Sequence, residues 1–363
     1  MTNAATQIDL LPPPIRTPRP VAQSPLRDLK IGNVQIGFPV VQAALSGYSD
    51  GPMRLVARSL GASYALAEVM IDRFVLSLKN RERTRYHLHL DDEDHPVGGQ
   101  LMGSDPLQFG PAARKLVEAG FDVIDINFGC PVKSAVGGCR GGYHLSQPAV
   151  ALEIVSHVRE AVPSHIPVTL KMRRGMDESS ASRDNFFEIL DGAFARGVAA
   201  ITVHGRTVEQ KYIGPSNWDF LRAVKQHAGA RTILGSGDLF TPQACLEMLA
   251  DTGVDGVTVA RGAIGNPWIF QQCRELAARQ PPSFPDLAEQ RRVLAMHFDL
   301  CEAMGEAKSA VATMRTFGIK FARLHPRHED VRNAFARVKT VEEWAAVLAG
   351  WYTHGLEPRQ EQP

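Results

Sequence analysis

The chain has 363 residues, 44% of them hydrophobic and 22% charged, a composition that excludes a disordered or fibrous protein and suits an ordinary globular one. Forty basic residues against thirty-nine acidic ones leave a formal charge of +1, so no whole-molecule field draws the chain to nucleic acid. The five cysteines (Cys130, Cys139, Cys245, Cys273 and Cys301) are odd in number and include no C-x-x-C, which argues against a disulfide framework or a zinc site and for a reducing cytoplasm.

No apolar stretch approaches the roughly 20 residues of a membrane span, and the N-terminus lacks a signal-peptide core, so no membrane association is expected and the cytoplasm is the expected location. Residues 1–30 carry Pro12, Pro13, Pro14, Pro18, Pro20 and Pro25, which cannot donate backbone hydrogen bonds and predict an extended N-terminal arm. Short apolar runs follow at 39–44, 64–67, 96–101, 123–126, 168–172, 200–203, 232–234 and 256–259. Amphipathic stretches lie between them, for example 148–162, 185–196 and 242–251. Eight repeated βα units predict a parallel sheet closed into a (β/α)8 TIM barrel over residues 31–284. An open doubly wound sheet would be announced by a G-x-G-x-x-G after the first strand, and none follows Ala44. Beyond Pro281, Pro282 and Pro285 only helical periodicity remains, which predicts a small all-helical C-terminal domain over 285–363.

A parallel barrel puts its chemistry at the C-terminal ends of its strands, so polar residues that close an apolar run are the candidates. Four runs end this way: Asp125 and Asn127, Lys171 and Arg173, His204 and Arg206, Ser236 and Asp238. Members of each pair are two apart and share a face while the strand continues. A lysine and an arginine aimed into a barrel are costly to desolvate unless they meet an anion or a polar ligand, which points to a functional role for Lys171 and Arg173. The turns at Gly235-Ser236-Gly237-Asp238 and Ala260-Arg261-Gly262 follow the seventh and eighth runs, where barrels often hold a phosphate on backbone N–H groups. Cys130, in Asn127-Phe128-Gly129-Cys130-Pro131, lies on the loop after the fourth run, where a protonated thiol can serve as an acid. Residues 314–339 hold seven basic residues, Arg315, Lys320 and Arg323 among them, against Glu329 and Asp330. That excess fits either a solvated helix face or a phosphate-contacting surface.

The segments AALSGYSDGPMR (43–54), GQLMGSDP (99–106), DVIDINFGCP (122–131), VTLKMRRG (168–175), ITVHGRT (201–207), GSGDLF (235–240) and VARGAIGNPWIF (259–270) resemble tRNA-dihydrouridine synthases in order and spacing. The resemblance implies FMN bound at the barrel mouth, NADPH as reductant, and structured RNA, tRNA, as the partner of a monomeric enzyme. It implies Cys130 as the proton donor to the uracil ring. Gln100, Lys171 and His204 would contact the flavin and its ribityl chain, with Ala43, Leu45, Ser236 and Ala260 at family cofactor positions. Gly237, Asp238, Arg261 and Gly262 would hold the phosphate, Asn127, Arg173 and Arg206 would face the uracil, and Arg315, Lys320 and Arg323 would contact RNA. The chain departs from the family pattern at Ala44-Leu45, Ser236 and Ala260, and in the loop from Gly138 to Leu145, so weaker flavin binding stays open. A barrel flavoenzyme reducing a small pyrimidine and a non-redox RNA-binding member of the same fold stay open as well.

Overall fold

The computed structural model describes residues 26–78, 88–305 and 307–353. Most of the expected proline-rich arm, residues 1–25, lies outside the described residues, as do residues 354–363 of the expected helical domain. The end of the arm is ordered: Leu29–Ile31 (β1) and Val34–Gly37 (β2) form an antiparallel hairpin around Gly32 and Asn33. Leu29, Ile31 and Ile36 are buried and pack on Val41, Tyr64, Leu66, Val123, Ala200 and Leu234. Val123 and Ala200 begin their strands, so the hairpin plugs the N-terminal end of the sheet.

The remaining strands are Val40–Gln42 (β3), Ala65–Leu66 (β4), Met70–Ile71 (β5), Val97–Met102 (β6), Val123–Phe128 (β7), Val168–Arg173 (β8), Ala200–His204 (β9), Thr232–Ser236 (β10) and Gly256–Val259 (β11). The order β4-β3-β11-β10-β9-β8-β7-β6 is parallel throughout, and Ala65↔Val97 with Leu66↔Gly98 joins β6 back to β4. Eight strands thus close a (β/α)8 barrel, as the alternation predicts. All eight expected runs are present. The run at 64–67 shrinks to two paired residues, and β5 resumes the pairing with β6 at Met70↔Leu101.

Outside the barrel lie helices Gly51–Ser59 (α1), Asp72–Ser77 (α2), Pro106–Glu118 (α3), Lys133–Val136 (α4), Pro148–Ala161 (α5), Ser180–Ala195 (α6), Trp218–Ala228 (α7), Pro242–Thr252 (α8) and Ile269–Ala277 (α9). Their starts follow local chemistry. Proline at the first turn opens α3, α5 and α8, and the side chains of Asp105, Ser179, Asn217 and Thr241 cap α3, α6, α7 and α8 by accepting from backbone N–H groups. The Ser179 cap explains why α6 begins five residues before the expected Asn185.

Four helices complete the described chain: Leu287–Met304 (α10), Ala307–Phe321 (α11), His328–Arg337 (α12) and Val341–Trp351 (α13). Their buried residues are continuous with the core between barrel and outer helices. Tyr48 meets Phe317 edge-on at 5.4 Å, Trp268 meets Phe321 at 6.0 Å, and the Trp268 indole N–H donates to Glu289 at 3.2 Å. Among the described residues no helix is long and apolar enough to cross a membrane.

Because the hairpin fills the barrel floor, Ile31→Ala should remove buried contact without a collapse to refill it. A loss of roughly 2–5 kcal/mol is expected, read as a lower urea midpoint at unchanged slope. An unshifted midpoint would show that the plug is dispensable.

Candidate active site at the C-terminal mouth of the barrel

Strand register stacks the inward side chains in layers. Above the apolar floor, Gln100 pairs with Asp125, and Asp125 with Thr169. One layer higher Asn127 pairs with Lys171, and above that Arg173 pairs with His204, which in turn pairs with Ser236. The polar pairs read from sequence therefore do converge at one mouth. The Asp125 carboxylate accepts from Gln100 Nε2 at 2.7 Å and from Thr169 Oγ1 at 2.6 Å, and Gln100 Oε1 accepts from Asn127 Nδ2 at 2.7 Å. This chain hands the orientation of a buried carboxylate up to Asn127.

Asn127 in turn shapes the cysteine loop. Its Oδ1 accepts from the backbone N–H of Gly129 at 2.8 Å and of Cys130 at 3.1 Å, an Asx turn that places Cys130, half-buried, over the mouth. Arg173 braces the same loop from below: Nε donates to Gly129 O at 2.9 Å, and Nη1 donates to Thr207 O at 2.8 Å and to Lys211 O at 2.7 Å. One guanidinium thereby ties the loop after β7 to the loop after β9. Arg206 is equally engaged, donating to Gly214 O at 2.8 Å and to Asp238 Oδ1 at 2.6 Å, while Asp238 Oδ2 accepts from Ser216 N. Arg206 Nη1 is buried with no partner among the described residues.

Electrostatics single out two groups. Burial, reinforced by Arg173, brings Lys171 down to about 8, against the opposing pull of Asp125 and Cys130. Burial also pushes His204 well below the usual imidazole range, helped by Arg173 and Lys171, so its ring is neutral at pH 7. Among the described residues neither the Lys171 ammonium nor the His204 ring has a hydrogen-bond partner, although His204 is only 8% exposed. Neither is among the fully buried unpartnered atoms, so both keep contact with solvent at the mouth, where a ligand can take them up. Thr258 Oγ1, in the β11 layer facing Ser236, is buried and unpartnered.

The two expected phosphate turns adjoin this set. Gly237 has φ of +114°, and an added Cβ would strike Ser216 and come within 2.8 Å of the His204 ring. An added Cβ at Gly262 would collide with the carbonyl of Leu239, so the two turns pack directly on each other. The Arg261 guanidinium lies 4.4 Å from the Tyr212 ring centre and 5.1 Å from that of Phe240, a stacked position beside the turn. Ser236 Oγ reaches Thr258 O only at 3.4 Å. Ala43 is buried at the end of β3, where its N–H donates to Val259 O, and Leu45 is half-buried in the next turn.

The basic residues of the helical region do not reach the mouth as one group. Arg323 Nη2 donates to Gly262 O at 2.9 Å and so touches the phosphate turn itself. Lys320 is half-buried, with Arg332 and Arg323 as charged neighbours, and Arg315 is half-buried on α11. Sequence reasoning missed Thr169, Tyr212 and Ser216. Thr169 is two residues before Lys171 and was open to the same period-two argument, whereas the roles of Tyr212 and Ser216 depend on partners that periodicity cannot supply.

A family model described as dihydrouridine synthase (Dus) matches residues 41–352. A tRNA-dihydrouridine synthase B of Xanthomonas campestris pv. campestris is 33% identical over 332 residues, covering 89% of this chain and 96% of its own length. A probable tRNA-dihydrouridine synthase of Rickettsia conorii is 31% identical over 331 residues, covering 91% and 98%. Among solved structures, histamine dehydrogenase from Rhizobium sp. 4-9 aligns with a TM-score of 0.56 at 13% identity, over 76% of this chain and 50% of that one. Morphinone reductase in complex with tetrahydroNAD aligns with a TM-score of 0.52 at 13% identity, over 71% and 92%. At such identity these two show the barrel fold alone.

Burial holds the Asp125 carboxyl up at about 6, despite the hydrogen bonds from Thr169 and Gln100. The unfolded chain ionises this group near the usual 3.9, so stability falls as pH rises from about 4 to about 6, by roughly 2–3 kcal/mol, and levels off above. Asp125→Asn should flatten that part of the stability profile in urea titrations. A slope unchanged from wild type would remove Asp125 as its source.

Proposed function

The chain belongs to the dihydrouridine synthase family, and on that premise we propose that this oxidoreductase reduces the uracil C5=C6 bond of a specific uridine in tRNA, using FMN and NADPH. The observation that carries the reading is the pair of donors without protein acceptors, Lys171 and His204, which line the mouth beneath the half-buried Cys130. Residues that fit a flat, anionic-tailed cofactor stand around them. Gln100 retains an amide hydrogen beyond its bond to Asp125, and Lys171 and His204 supply donors to ring and ribityl oxygens. The packed turns at Gly237-Asp238 and Arg261-Gly262, with Ser236 and Ala260 beside them, frame a phosphate with backbone N–H groups and the Arg261 charge.

Reduced FMN, regenerated by NADPH, would supply hydride to C6 of the uracil. The Cys130 thiol then gives its proton to C5, so one hydride and one proton saturate the double bond. Charge that builds on the uracil oxygens as hydride arrives is stabilised by Lys171 and by the free face of the Arg206 guanidinium. Asn127 and Arg173 act chiefly by holding the cysteine loop, with Asn127 Nδ2 and Arg173 Nη2 still able to face the base. Neutral His204 donates or accepts without adding a further cation to a crowded mouth. The target base must leave its stack to enter, and Arg315, Lys320 and Arg323 would steady the RNA that carries it as it docks on a monomer.

Two outcomes are expected. Cys130→Ala should abolish dihydrouridine formation on tRNA while NADPH still reduces the bound flavin at nearly the wild-type rate; normal product yield from that variant would take Cys130 out of the chemistry. Lys171→Met should weaken FMN binding by at least about tenfold, seen as loss of the flavin absorbance bands from the protein fraction after gel filtration. Retained bands at equal affinity would remove Lys171 from the cofactor site.

A further inference from the structure

Seven large hydrophobic side chains are exposed among the described residues, and five of them lie just beyond C-terminal strand ends: Phe74 after β5, Leu107 after β6, Val132 after β7, and Tyr212 and Ile213 after β9. The mouth of the barrel therefore wears an apolar collar that the fold itself does not bury. Within it Val132, 53% exposed, and Ile213, 78% exposed, stand on the two loops that Arg173 joins. Val132 is two residues from Cys130. Ile213 is fixed on both sides, by Arg173 donating to Lys211 O and by Arg206 donating to Gly214 O. The loops also touch, since an added Cβ at Gly142 would meet both Val208 and the Cys130 carbonyl oxygen.

Both tips have the same make-up, an exposed aliphatic side chain beside an exposed lysine: Val132 with Lys133, and Ile213 with Lys211. An ordered aliphatic tip held in water has a reason if something apolar covers it in use. A uracil drawn into the barrel leaves its two neighbours with uncovered faces, and branched aliphatic wedges are a recurrent cover for such faces. The adjacent lysines suit the phosphates of the same nucleotides. We propose that Val132 and Ile213 are paired wedges that hold apart the two bases flanking the target uridine, with Lys133 and Lys211 on their phosphates. Arg173 sets the spacing between the wedges through its carbonyl contacts. This rests on the RNA reading above, and it commits the collar to unstacked bases rather than to a protein partner.

The test uses the full-length holoenzyme and a tRNA pool that lacks dihydrouridine, with the double substitution Val132→Ser and Ile213→Ser. Wedges act on base extrusion, so kcat for dihydrouridine formation should fall about tenfold or more, while the Kd for tRNA and its salt slope stay within about twofold, because phosphate contacts carry affinity. FMN reduction by NADPH without RNA reports whether the barrel is intact. Should that step be damaged, the milder pair Val132→Ala and Ile213→Val replaces it, with the same kcat loss expected in smaller measure. A wild-type kcat in an intact double variant overturns the wedge, and an equal loss of Kd with a shallower salt slope assigns the collar to simple docking and also overturns it. If wild-type enzyme forms no dihydrouridine on this pool, the RNA reading itself fails and takes the wedge with it.

Discussion

Closing a parallel sheet on itself forces side chains from every second position into one shared volume, and here that volume contains Lys171, Arg173, His204 and Arg206 with Asp125 and Asp238 as the carboxylates nearby. Such a mouth is stable only if each charge finds a partner or gives up its charge. The structure uses both routes. Arg173 spends its guanidinium on three backbone carbonyls, Arg206 pairs with Asp238, and His204 stays neutral. Lys171, like the ring-stacked Arg261, is left cationic at neutral pH without a hydrogen-bonded acceptor among the described residues. The positive excess is therefore localised, and it sits next to the thiol.

That arrangement also explains why loops and chemistry cannot be separated in this protein. Asn127 and Arg173 look like substrate ligands from their positions on strands, yet Asn127 Oδ1 and Arg173 Nε shape the backbone around Cys130. The loop that presents the thiol is thus held by the same two strands that present the lysine. A change in strand register by one residue would turn all of these groups to the outer face at once.

Much of this was legible in the sequence because parallel strands buried on both faces leave an unmistakable trace, an apolar run that turns polar at its last alternate positions. Lys171 with Arg173 and Asp125 with Asn127 follow that trace directly. The β1–β2 hairpin was not legible, because strands of three and four residues carry too little period to separate from an arm. The partners of Arg173 were hidden for a different reason: the carbonyls it binds lie 34 to 44 residues away, and carbonyls have no residue type to read. The substituted positions Leu45, Ser236 and Ala260 were visible from the start, but their surroundings were not.

The helical region has a closer relation to the barrel than its separate periodicity suggests. Arg323, on the 3-10 turn after α11, donates to the carbonyl of Gly262, and the backbone of Lys320 lies so close to Gly265 that no Cβ could be added there. The turn after β11 is consequently clamped from the helical side while its other face packs on the turn after β10. The end of α11 is thus tied to the turn after β11 by one hydrogen bond and one backbone contact rather than by a flexible linker. Close packing transmits strain, so a displacement of the 3-10 turn that carries Arg323 would be felt at Gly262 and Gly265.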